Sequence, residues 1–265
     1  MRPVGDLRFE VEDGVATVTF ARPHVLNALT LEVYARFRDL LIELRRDDAV
    51  RAVIITGEGR GFCSGGDVHE IIGVLLQQGV REHIAFTRMT CEVVENMRAL
   101  DKPIIAAVNG IAAGAGAVIA LASDLRIASP QAQFAFLFTK VGLAGADMGA
   151  AYLLPRVVGL GRAMELLLFG ETIDAETAER YGLINRVVPH EALLPTAREW
   201  ARRLAEGPAL AIGMTKRLVT QELDMDLHGA LVAEAYGQAL LLLSEDHRAF
   251  YEAFRRKEAP KFTGR

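Results

Sequence analysis

The chain has 265 residues, 51% of them hydrophobic, enough for one large domain or two small ones with a sizeable core. Its 30 basic and 34 acidic side chains give a net charge of −4 with no long block of either sign, which argues against nucleic-acid binding through clustered Lys and Arg. Two cysteines, Cys63 and Cys91, are too few for a disulfide framework and stand in no metal-ligand spacing, so the expected home is a reducing cytoplasm. The N-terminal stretch MRPVGDLRFEVEDG is charged and holds no apolar leader segment, so export is not indicated.

In chain order, VATVTF (15–20) alternates like a half-buried strand, and RPHVLNALT follows as a loop ending in Thr30, an expected N-cap. Leu31, Tyr34, Phe37, Leu41 and Leu44 then recur at helical spacing and give an amphipathic helix. AVIIT (52–56) reads as a buried strand feeding GEGRGFCSGGD and a helical run from about Val68. IIAAV (104–108) repeats the pattern, feeding NGIAAGAG and a helical run to about Ala122.

The window Pro103–Ser123 carries no charge and is long enough to raise the question of a membrane span. Asn109 and Gly110 divide it into strand, turn and buried helix, and no second span supports a membrane reading. LRIAS and AQFAF supply further short strands, so the alternation points to parallel β/α units of an α/β fold. From about residue 159 helical runs dominate, punctuated by Gly170, Gly182, Pro189 and Pro208. We place the core at residues 1–200 and a helical C-terminal region at 201–265.

Two strands that each deliver a glycine-rich turn into a helix present free backbone N–H groups at the positive ends of helix dipoles. One such turn would suit any anion; a pair of donors makes an oxyanion hole. The nucleotide pattern GxxxxGK[ST] is absent, and no GxGxxG follows the first strand. FCSGG is not the GxSxG elbow of a hydrolase, and Ser64 has no identifiable His partner.

RPHVLNAL (22–29), GRGFCSGGDV (59–68), KPIIAAVNGIAAGAGAVIALASDLRIAS (102–129), FxxxxxKVGL (134–143), LLPRVVG (153–159) and AFRRKEAPKFTGR (253–265) occur in one order along nearly the whole chain. On these segments the protein resembles the crotonase superfamily, the enoyl-CoA hydratase/isomerase family. The resemblance implies a crotonase-like spiral of repeated ββα units with a helical C-terminal trimerisation region. It also implies an acyl-CoA thioester as substrate, a homotrimer or dimer of trimers, and no cofactor beyond the coenzyme A carried by the substrate. By the same likeness the oxyanion donors are Gly66 and Ala115. His24, Val25 and Leu26, together with Ser64, Asp67 and Val68, fall in segments that contact CoA, and Phe254 and Lys257 reach it across a subunit boundary.

The family's hydratases use two glutamates at positions that here hold Val118 and Phe138, neither of which can move a proton. Asp147, in GLAGADMGAAYLLPR, resembles the aspartate base of the GLxxDxG stretch in related isomerases, with one extra residue after Gly142. Its apolar surroundings are expected to raise its pKa, although it would also serve as an N-cap for a helix starting near Met148. Asp67 is expected chiefly as a helix cap, Asp124 as structural, His69 and Glu70 as a helix face, and His83 and Glu82 stay unassigned. The leading expectation is a 3-enoyl to 2-enoyl-CoA isomerase that stabilises a thioester enolate. The alternatives are an enoyl-CoA hydratase and a non-catalytic scaffold of the same fold.

Overall fold

The computed structural model describes residues 5–265; the first four residues of the charged N-terminal stretch lie outside it. Among the described residues ten strands form two sheets. β1 (Leu7–Glu12) and β2 (Val15–Phe20) make an antiparallel hairpin, and β2 continues in parallel with β3 (Ala52–Gly57), β5 (Ile104–Val108), β7 (Leu125–Ala128) and β10 (Arg186–Val187). The second sheet runs β4 (Gly61–Cys63), β6 (Ile111–Ala113), β8 (Gln133–Ala135) and β9 (Thr172–Asp174).

Each turn of the chain therefore gives one strand to the first sheet and the next to the second, then returns through a helix. β3 and β4 are followed by α2 (Gly73–Leu75) and α3 (Val80–Ala99), and β5 and β6 by α4 (Ala115–Ala122); β7 and β8 complete the third turn. This is the expected ββα spiral. Parallel strands need such long crossovers, because a two-residue hairpin cannot return the chain in the same direction.

The central strands β3 and β5 are buried on both faces, which is why they read as continuous apolar runs rather than alternating ones. Val53, Ile55, Ala106 and Val108 face the main core, where α1 (Leu31–Arg46) contributes Tyr34, Phe37, Leu40, Leu41 and Leu44. Ile54, Ile105 and Ala107 face the other side, where Leu193, Ala197, Ala201 and Ala205 of α8 (Leu193–Ala205) cover them. Small alanines let that helix lie close to the sheet. Position 200, the expected domain boundary, thus falls inside a helix that packs on the core sheet.

Thr30 caps α1 as expected, its Oγ1 accepting from the Val33 N–H at 3.2 Å. Downstream, α5 (Ala150–Val158), α6 (Leu160–Phe169) and α7 (Ala175–Arg180) are interleaved with β9 and β10, two short strands that the helical reading from residue 159 did not anticipate. Their few residues pair only at sheet edges, so they carry little pattern. α9 (Ala209–Glu222), α10 (Leu227–Leu241) and α11 (Glu245–Arg256) form the C-terminal helical region. Lys216 pins α9 to the core through Asp124, at 2.8 Å, and through the carbonyls of Met97 and Lys102. Asp124 also accepts from the Ile104 N–H and pairs with Arg98, which makes it structural, as its sequence context suggested.

Among the described residues no helix is long and apolar enough to cross a membrane. The uncharged window resolves into β5, β6 and α4.

Candidate active site

The turn after β4 and the turn before α4 meet in the core. A side-chain carbon added at Gly65 would lie 3.7 Å from the Ala115 nitrogen and 3.0 Å from the Ala113 carbonyl oxygen. One added at Gly116 would sit 2.0 Å from the Cys63 carbonyl oxygen, closer than atoms can approach, so this packing admits only glycine there. Gly114, at φ +51° and ψ −121°, occupies a conformation closed to L side chains, and it swings the chain from β6 directly into α4.

This arrangement frees two particular N–H groups. Leu29 bridges Gly66 in parallel, and the bridge uses the groups on either side: the Leu29 N–H donates to the Gly65 carbonyl and the Asp67 N–H to the Leu29 carbonyl. The Gly66 N–H therefore points away from the bridge and has no acceptor among the described residues. Ala115 is the first residue of α4, where helix geometry leaves N–H groups without an internal partner. The Gly114 N–H is taken by the Ala135 carbonyl and the Val118 N–H by the Gly114 carbonyl; that of Ala115 is taken by neither sheet nor helix. Two unpaired donors on adjoining turns, one at a helix N-terminus, can hold an oxygen that gains negative charge.

The loop Arg22–Leu29 is clamped over these turns. Asn27, at φ +60°, donates to the carbonyls of Glu58 and Gly61 and accepts from the Arg22 N–H. Asn109 donates to Gly59 and Gly61 from the other side. Buried Arg22 ties the assembly together by donating to Asp67, Glu70 and the Ala28 carbonyl at 2.8–3.0 Å, with Asp6 at 3.2 Å. Its role was not legible in RPHVLNAL, where an arginine beside a proline reads as a surface loop.

The remaining expected residues separate by what their side chains already do. Asp67 caps the turn Val68–Ile72, accepting from the His69 and Glu70 N–H groups, and these bonds with the Arg22 guanidinium hold its carboxyl below the usual range. Its side chain is fully engaged. The Ser64 hydroxyl donates to the Val25 carbonyl at 3.2 Å, which fixes the loop and leaves no base to activate it. Burial pushes the Cys63 thiol up to about 12, so it stays protonated. His24 and Val68 are exposed, and Val25 and Leu26 are half-buried along the same rim. Phe254, 70% exposed, and Lys257 lie on and just after α11, whose Asp246 is held by the chain's own tail through Thr263 and Gly264.

Val118 is fully enclosed in α4, and Phe138 is buried in the short helix Leu137–Val141. Asp147 lies in the loop before α5. The helix starts at Ala150 with Gly149 as its N-cap, so Asp147 does not cap it through its side chain; Oδ1 instead accepts from the adjoining Met148 N–H at 2.9 Å. Met148 adopts φ +48°, an uncommon conformation for a side chain of its size. The carboxyl is half-buried and its pKa is raised by that burial, with the Met148 N–H opposing the shift. Tyr34 has its Oη 3.9 Å from where a Gly66 side chain would begin, and burial first, then the Cys63 and Asp147 charges, hold its phenol well above the ordinary range.

A family model described as enoyl-CoA hydratase/isomerase matches residues 10–265. The 1,2-epoxyphenylacetyl-CoA isomerase of Escherichia coli K12 is 39% identical over 255 residues, covering 96% of this chain and 97% of its own. The (E)-benzylidenesuccinyl-CoA hydratase of Thauera aromatica is 37% identical over 259 residues, covering 96% and 98%. A crystal structure from Streptomyces coelicolor A3(2), provisionally named an enoyl-CoA hydratase, superposes with a TM-score of 0.97 at 56% identity over 100% of this chain and 96% of that one. With the matched model spanning nearly its full length and these relatives aligned end to end, the chain belongs to the enoyl-CoA hydratase/isomerase family.

Proposed function

We propose that the protein is an enoyl-CoA isomerase that moves a double bond from the 3-position to the 2-position of an acyl-CoA thioester. The observation that carries this reading is Asp147, a half-buried carboxylate with a raised pKa in a chain that also frees two main-chain donors, with valine and phenylalanine where the family's hydratases carry glutamates. The thioester oxygen sits between the Gly66 and Ala115 N–H groups. Ionised Asp147 takes a proton from Cα of a 3-enoyl-CoA, and the electron pair moves through the carbonyl to give an enolate whose oxygen those donors hold. Asp147, now protonated, returns the proton at Cγ, the double bond settles between Cα and Cβ, and the carboxylate is restored.

One group suffices for both transfers. Hydration asks for a water activated at Cβ and a proton donor at Cα, and relatives named as hydratases make it the competing activity to measure. The adenine end of CoA runs along His24, Val25 and Leu26. Phe254 and Lys257 reach it from a neighbouring subunit of a trimer or dimer of trimers, in keeping with the exposure of Leu240, Leu243, Phe250 and Phe254 on and between the C-terminal helices.

The test follows 3-enoyl-CoA isomerisation and 2-enoyl-CoA hydration side by side in wild type and Asp147→Asn. Isomerisation is expected to be the faster and to depend on Asp147; efficient hydration that survives the substitution would overturn the reading. A stable monomer in light scattering would remove the proposed subunit contribution.

A further inference from the structure

Arg126, on β7, is a buried cation to which the double-bond shift assigns no part. It is 7% exposed. Its Nε donates to the Leu183 carbonyl at 2.7 Å, while one terminal nitrogen turns to the end of α4 and donates to the carbonyls of Ala120, Leu121 and Ser123. The other terminal nitrogen reaches the Asp124 carbonyl. Arg98, from α3, brings a second guanidinium to the Ala122 carbonyl at 3.4 Å. The four carbonyls from 120 to 123 thus each face a guanidinium.

The carbonyls at a helix end need donors, and neutral groups can supply them. Here charged groups do so, although burying a charge is costly. The partners of Arg126 among the described residues are all main-chain carbonyls. Asp124, the carboxylate that acts on it, is already taken by Arg98 at 3.2 Å and Lys216 at 2.8 Å. Three cations therefore face one anion. Burial brings the Arg126 guanidinium down to about 10, with Asp124 opposing the shift, so it is charged at neutral pH.

At its other end α4 begins with Ala115, and all eight of its residues are buried. A helix carries partial negative charge at its C-terminus, which works against an anion held at its N-terminus, and burial keeps water and salt from screening either end. A cation on the last carbonyls offsets that negative end and adds its own attraction. Eight residues at the helical rise put it about 12 Å from the Ala115 N–H. At an effective dielectric constant of about 20, one charge at that distance stabilises a full oxyanion by roughly fivefold to tenfold in rate. We infer that Arg126, with Arg98 beside it, is a positioning residue of the oxyanion site, whose charge at the far end of α4 strengthens the hold of the Ala115 N–H on the thioester oxygen. This rests on the oxyanion reading of Ala115 and extends it to side chains that never touch the substrate.

Isotope-edited infrared spectroscopy of bound butyryl-CoA, labelled with carbon-13 at its thioester carbonyl, tests this without any turnover. Binding to wild type is expected to lower the carbonyl stretch from its value in water. Arg126→Gln keeps a donor for the helix end and removes the charge, so it should lose part of that shift with Kd unchanged and lower isomerase turnover roughly fivefold to tenfold. Arg126→Lys keeps the charge and loses the fork of donors, so it should retain the shift. A folded Arg126→Gln protein with the wild-type shift would overturn the inference, as would an Arg126→Lys protein that loses as much of it as Arg126→Gln. If circular dichroism shows Arg126→Gln unfolded, Arg98→Gln removes the second guanidinium and should reduce the shift in the same direction; an unchanged shift there is equally fatal. A wild-type complex with no shift at all would instead overturn the oxyanion reading, and the inference with it.

Discussion

The two glycine turns contribute main-chain N–H groups fixed by strand register, whereas the loop from Gly142 to Gly149 contributes a side chain steered by one local hydrogen bond. In the first region Leu29, Asn27, Asn109 and Arg22 saturate the neighbouring polar groups, and glycine at 116 brings α4 against the Cys63 carbonyl. In the second, Asp147 is held by the Met148 N–H alone, next to a left-handed Met148. Oxyanion donors must already be in place when charge develops, so they belong on a rigid scaffold. A base that serves two carbons of one substrate gains from a shorter and less constrained mount.

The largest expected effect comes from the loop. Asp147→Asn should lower isomerase turnover by about a hundredfold to ten-thousandfold, the span general-base groups supply, with CoA-ligand affinity retained. The wild-type pH profile sharpens the point. In the proposed reaction Asp147 works ionised and burial raises its pKa, so activity should fall as pH drops through a value above the ordinary carboxylate range. An acid limb at or below that range in kcat/KM would show that another group titrates.

The scaffold side comes next. Ala115→Pro removes one donor and should cost about a hundredfold to a thousandfold in turnover. Circular dichroism in parallel separates this from unfolding; a folded variant with unchanged turnover would remove Ala115 from the mechanism.

A smaller effect is expected one layer out. Asp67→Ala strips a cap from Val68–Ile72 and one partner from buried Arg22, which keeps Glu70, Asp6 and the Ala28 carbonyl. The loss should be about 2 kcal/mol in urea unfolding. Because the Asp67 carboxyl is held below its unfolded value, its contribution is present at neutral pH and lost as pH falls through that depressed folded pKa. The difference from wild type should shrink in strong acid, and a constant gap would contradict the assignment.

The smallest effect carries the opposite sign. A carboxyl whose folded pKa is raised is less comfortable ionised in the native protein than in the unfolded chain, so Asp147→Asn should leave Tm at pH 7 unchanged or slightly higher. That gap should close as acid protonates Asp147 in the wild type. A clear drop in Tm at pH 7 would mean that the Asp147 carboxylate holds its loop together.

Much of the scaffold was legible because it rests on local rules. The apolar runs AVIIT and IIAAV are strands buried on both faces, and Thr30 caps the helix it precedes. Each follows from period, propensity or a single short-range hydrogen bond. β9 and β10 were not legible, since strands of three and two residues take their conformation from the edge they pair with.

Residue type and spacing were enough for the alternation of apolar strand, glycine turn and helix, because period and turn chemistry are local, whereas the choice of Gly66 and Ala115 as donors came from the likeness to the family. The free N–H of Gly66 depends on its bridge to Leu29, a contact far apart in the chain. Which side chains remained available was settled by packing between distant segments. Asp67, expected chiefly as a helix cap, is held by Arg22 and two N–H groups, and the Ser64 hydroxyl, which had no His partner in the sequence, is held by the Val25 carbonyl. Tyr34, one aromatic in an apolar stripe, came to lie with its Oη beside Gly66. Such outcomes depend on groups tens of residues apart in the chain, whose distances are set only when the two sheets and their helices close on one another.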